Sequence, residues 1–153
     1  MTEPFRLARP IVVALALLLA LVCTGASARA GDPHRLALQI SDNDPEKMNA
    51  VLNVAANVSQ YFSGRGEEVE ITIVAFNAGL HMLREDTSPV KPRLKSFAEG
   101  MPNVSFKACQ NTLDGMSRRE GKVPPVIANA EMVPAGVVSL MELGEKGWTI
   151  VRP

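Results

Sequence analysis

The sequence predicts an α/β fold: a three-layer α/β/α sandwich around a mostly parallel sheet of about five strands. Short, β-branched apolar runs recur along the chain. They alternate with segments whose apolar residues repeat at spacings of three and four, and Pro, Gly, Asn and Asp punctuate the junctions. A strand, helix, strand order sustained from end to end is the pattern of right-handed crossovers on a covered parallel sheet.

Arg35 to Ile40 is the first predicted strand, apolar enough through Leu36, Ala37, Leu38 and Ile40 to be covered on both faces. Asp44 is placed to cap a helix that opens at Pro45, where a missing amide hydrogen costs nothing, with Glu46 at the positive end of the dipole. Met48, Val51, Leu52, Ala55, Val58 and Phe62 form one face of that helix, which ends near Ser63-Gly64. Val69 to Phe76 is the second strand, followed by Asn77-Ala78-Gly79 and a short helical turn from Leu80 to Leu83. Val90, Leu94, Phe97 and Met101 support another helix.

Val104, Phe106 and Ala108 alternate with Ser105, Lys107 and Cys109 as a third strand, and Asn111 and Thr112 are residue types that open helices. A short helix over Asn111 to Arg119 turns Leu113 and Met116 inward. Val126 to Val133 is the fourth strand, and Val137, Leu140, Met141 and Leu143 form the inward face of the last helix. Trp148 to Val151 is the final strand. Residues 31–153 therefore form a single domain.

Residues 1–30 have the order of a secretory signal peptide: Arg6 and Arg9, an apolar run from Ile11 to Val22, then Ala26-Ser27-Ala28-Arg29-Ala30. The run is too short to span a bilayer core of about 30 Å, so no permanent membrane span is expected after cleavage. Without this segment Lys+Arg falls from 16 to 13 and Asp+Glu from 16 to 15, a formal charge of −2. That balance supplies no field for gripping nucleic acid. Cys109 is then the sole cysteine, so an intrachain disulfide is excluded. A lone exported thiol is buried and inert, paired with another chain, or used in chemistry.

Asp44-Pro45, Asn53 to Asn57, Val74 to Leu83, Ala108-Cys109-Gln110-Asn111-Thr112, Val133 to Val137, Gly147-Trp148 and the final Arg152-Pro153 together resemble the DsrE/DsrF-like sulfur-relay family. The likeness runs in order over residues 34 to 153. It implies a compact α/β domain that assembles as a homo-oligomer, a trimer or a hexamer. In the members that act in relays it also implies a cysteine after a central strand that carries sulfur as a persulfide. Of the functional residues, the resemblance transfers only Cys109. A signal peptide departs from the cytoplasmic relay subunits and points to the periplasm.

Sulfur transfer needs a thiolate with a lowered pKa and room for a partner, and a helix N-terminus directly behind Cys109 supplies the first. His81, past the second strand, reaches the same sheet edge if the second and third strands are neighbours; the alternative is a histidine on a surface loop. Asn77, Gly79, Asn111, Thr112 and Gly136 are the other candidates for a ligand rim, with Asp42 and Asp44 beyond them. Arg118, Arg119 and Lys122 form a small basic patch suited to an anionic sulfur species. One Cys and two His at unrelated spacings make no structural zinc site, and the scattered methionines read as packing. No cofactor is expected. No Ser/His/Asp constellation and no Gly-rich phosphate loop with lysine is present. The expected function is an exported carrier that accepts and passes on sulfane sulfur as a persulfide on Cys109, working with a donor or acceptor protein. The alternative is a non-catalytic binding or assembly subunit in which Cys109 is structural.

Overall fold

The computed structural model describes residues 31–153; the signal peptide expected over 1–30 lies outside the described residues. The elements follow the predicted order: β1 (His34–Ile40), α1 (Pro45–Ser63), β2 (Val69–Ala75), a 3-10 helix (Asn77–Leu83), α2 (Lys91–Gly100), β3 (Val104–Cys109), α3 (Gln110–Glu120), β4 (Ala130–Val133), α4 (Gly136–Glu145) and β5 (Thr149–Val151). The five strands form one sheet in the order β4-β3-β2-β1-β5, and every pairing is parallel.

That order decides which face each helix covers. From β1 to β4 every crossover steps one strand in the same direction, so right-handed connections place α1, α2 and α3 on one face. The connection from β4 to β5 returns across the sheet, which puts α4 on the other. The packing agrees. Met48, Leu52, Leu94, Phe97, Leu113 and Met116 share one large core with Leu38, Ile73 and Phe106. Leu140 and Leu143 of α4 close a separate, smaller core with Ala37, Val74, Phe76 and Cys109. Among the described residues the sandwich is therefore unequal: three α-helices on one side, one on the other.

Local chemistry explains the helix starts. Asp44 accepts the Glu46 amide hydrogen bond at 2.8 Å and Pro45 opens α1. Arg84, 4% exposed, holds both Asp86 and Glu120, so the segment after the 3-10 helix is tied to the end of α3.

Several details correct the sequence reading. The fourth strand pairs with β3 only from Ala130. Val126 instead forms an antiparallel bridge with Arg84, and Ala130 N–H turns back to the Ile127 carbonyl. Ile127 N–H donates to the Leu83 carbonyl and Glu85 N–H to the Pro125 carbonyl, so this segment's backbone is spent on the end of the 3-10 helix and the residues after it. Val137 and Met141 face outward, 54% and 60% exposed, because Gly136, Ser139, Leu140 and Leu143 provide the buried stripe of α4. The first strand begins one residue earlier than predicted, at His34, which stacks on the Phe62 ring at 4.0 Å and meets Glu67 at 2.9 Å.

Candidate functional site

In an open parallel sheet the ligand crevice lies at the carboxyl edge between neighbouring strands whose following helices leave to opposite faces. Here those neighbours are β3 and β4, since α3 covers one face and α4 the other. Cys109 is the last residue of β3 and pairs in register with Val133, the last residue of β4. A cleft of about 590 Å³ opens at this point, between the turn after β2, the first turns of α3 and the start of α4.

Cys109 is both strand end and N-cap of α3, with extended backbone at φ −74° and ψ 116°. Its sulfur closes no capping hydrogen bond of ordinary geometry. Its side chain is 5% exposed and borders the cleft. Burial is the largest influence on the thiol and by itself raises its pKa. The Thr112 hydroxyl and the N–H groups of Gly136, Thr112 and Asn111 act together in the opposite sense, and the net result lies below the ordinary thiol value. A thiolate is thus favoured where partial positive charges from two helix starts meet.

Thr112 holds this arrangement together. Its Oγ1 accepts the Asn77 N–H at 2.9 Å, which leaves the hydroxyl proton free for the sulfur. Asn77 takes a left-handed backbone at φ 49°, a conformation asparagine tolerates better than most residues. Asn111 N–H donates to the Pro134 carbonyl at 3.2 Å and fixes the start of α3 against the end of β4. Gly136 lets the α4 start approach Phe76, because a Cβ there would lie 2.8 Å from the Phe76 Cβ. That approach brings the Gly136 amide among the groups that lower the Cys109 thiol.

Asn77, His81, Asn111, Thr112 and Gly136 all border the cleft with Cys109. Gly79 does not. It is buried against the end of β1, where a Cβ would strike the Ile40 carbonyl and lie 2.7 Å from the Ser41 nitrogen. Its role is close backbone packing rather than ligand contact. His81 is half-buried and makes no hydrogen bond to the thiol among the described residues. Asp42 is engaged by Arg152 at 2.8 Å and Lys47 at 3.2 Å, away from the cleft.

No protein-family model matches the chain, and no curated protein matches it. A similar solved structure is that of MTH1491, a protein of unknown function from Methanobacterium thermoautotrophicum. It is 25% identical, with a TM-score of 0.66 over 78% of this chain and 99% of that one. The likeness is one of α/β fold.

Sequence reasoning missed part of the cleft. Ala135 and Val137 border it, and so does Arg119, which the sequence reading placed only in a surface patch. The signal was available: Asn111, Thr112, Gly115 and Arg119 are spaced as one helical face. A larger cavity of about 750 Å³ lies at the amino ends of the strands, lined by Glu67, Glu68 and Asn103 among others, and holds neither thiol nor imidazole. Among the described residues no group of three or more His, Cys, Asp or Glu is arranged to hold a metal ion. No described helix is long and apolar enough to cross a membrane.

Proposed function

We propose that this chain is an exported sulfur carrier in which the Cys109 thiolate takes up sulfane sulfur as a persulfide and passes it to another molecule. The observation that carries this reading is the Cys109 thiol itself, lowered in pKa and bordering the cleft between β3 and β4. The resemblance of residues 34 to 153 to the DsrE/DsrF-like family supports it. So does the lack of a second cysteine in 31–153: with no resolving thiol in that domain, bound sulfur has to leave to a partner. The signal-peptide pattern of residues 1–30 supports export to the periplasm. An exposed ridge of Val137, Val138 and Met141 on α4 supports assembly into a homo-oligomer, since monomers seldom display large contiguous apolar patches.

One observation favours the second reading, a binding or assembly subunit with an inert thiol. Cys109 is 5% exposed and packs with Ala37, Val74, Phe76, Leu140 and Leu143. Cys109→Ser separates the two. A carrier loses persulfide loading and keeps its thermal transition, whereas a structural thiol loses stability and shows no loading in the parent protein.

A further inference from the structure

The cleft beside Cys109 has a charge pattern of its own. None of the residues that line it is Asp or Glu, and the two ionisable side chains besides the thiol are Arg119 and His81. Gly115 sits one helical turn before Arg119. A Cβ at Gly115 would lie 3.5 Å from Arg119 Nη1 and 3.9 Å from Arg118 Nη2, so the Arg119 guanidinium folds back along α3 toward the helix start, and of these two arginines it is Arg119 that borders the cleft. Among the described residues Arg119 has no carboxylate partner, and the adjacent Glu120 is held by Arg84. A positive cleft in a domain of slightly negative charge is built for an anion.

We infer that Arg119 binds the sulfonate end of a small thiosulfonate, the class that includes thiosulfate, and thereby presents its sulfane sulfur to Cys109. This rests on the carrier reading. Gly115 lies six residues along α3 from Cys109, about 9 Å at 1.5 Å per residue. One thiosulfonate, hydrogen-bonded at one end and touching the nucleophile at the other, fills that span. The Cys109 thiolate attacks the sulfane sulfur, a new S–S bond forms, and the bond to the sulfonate sulfur breaks. Its electron pair leaves with sulfite, so one thiolate and thiosulfate become one persulfide anion and sulfite, with no outside oxidant or reductant.

The test measures gain of one sulfur by intact mass across a range of thiosulfate concentrations, in the parent protein, Arg119→Gln, Arg119→Lys and Lys95→Gln. Alongside it, the rate of alkylation by anionic iodoacetate is divided by that with neutral iodoacetamide, which cancels any change in the thiol. Arg119→Gln is expected to raise half-saturating thiosulfate about tenfold and to lower the alkylation ratio. Arg119→Lys is expected to recover part of both, and Lys95→Gln, on α2 and outside the cleft lining, to resemble the parent. Loading of Arg119→Gln at parental concentrations overturns the inference. Loading of the parent from polysulfide but not from thiosulfate overturns it too, and leaves the carrier reading standing. No loading from either donor removes both.

Discussion

Replacing Thr112 by valine removes one oxygen at nearly constant volume and so isolates the link between the turn after β2 and the Cys109 sulfur. Two effects follow from the structure. The Asn77 N–H loses its 2.9 Å acceptor, and since Asn77 is exposed, water replaces it; the net loss is about 1 kcal/mol, or roughly 4 °C in Tm for a domain of this size. The Cys109 thiol loses the strongest of the influences that lower it, while burial, which raises it, remains. Its ionisation therefore moves to higher pH. The assay is the rate of iodoacetamide alkylation against pH on the folded protein, with Thr112→Ser as the variant that keeps the hydroxyl. In the parent the thiolate contributes stability above the unfolded thiol value of about 8.5, and this is lost as pH falls through the lower folded value. Thr112→Val should narrow that window. An unchanged titration in Thr112→Val, or a serine variant indistinguishable from valine, would refute the assigned role of the hydroxyl.

Three further outcomes are expected. Gly79→Ala should destabilise by about 3 kcal/mol in denaturant titration, because its methyl meets the Ile40–Ser41 backbone, which cannot step aside; a parental midpoint would contradict the packing described. Thr72→Val should be neutral or stabilise by up to about 1 kcal/mol by the same measurement, since Thr72 Oγ1 is buried without a hydrogen-bond partner, and a clear loss would reveal a partner for it. Arg84→Met should change the pH dependence of stability. Arg84 holds the Asp86 and Glu120 carboxyls below the ordinary range, so their contribution is present above about pH 4 and is lost as pH falls through their lower folded values. Without Arg84 the domain should be weaker at neutral pH and its acid limb flatter; an acid limb as steep as the parent's would show that the two carboxylates gain nothing from Arg84.

Much of the fold could be read along the chain because its signals are local. The alternation of Val104, Phe106 and Ala108, the Asp44-Pro45 helix start and the face from Met48 to Phe62 each depend on a few neighbouring residues, and each element stands where it was expected. Strand order is different in kind. Nothing local in Ala130 to Val133 says that it lies beside β3 or that the chain then returns to the far side of β1, yet this reversal puts the crevice at Cys109. The last helix misled for a related reason. Val137, Val138, Leu140, Met141 and Leu143 are apolar on more than one face, and helical spacing alone does not choose between two stripes.

The candidate site shows the same division. Cys109, Asn111 and Thr112 were legible as a strand end meeting a helix start. The Asn77–Thr112 bond and the Gly136 amide join segments far apart in sequence, and Arg119 borders the cleft by folding back along α3 over Gly115. Gly79 shows the opposite error. A glycine in a loop at the functional edge suggests ligand approach, whereas the backbone it accommodates is that of its own chain.

The most direct test of the account is the mass of the folded, purified protein after exposure to polysulfide, with Cys109→Ser alongside. A persulfide carrier shows a reductant-labile gain of one sulfur on the parent and none on the variant. An unmodified parent, whose thiol reacts with alkylating reagents only once denaturant is added, would contradict it and leave Cys109 as a buried packing residue.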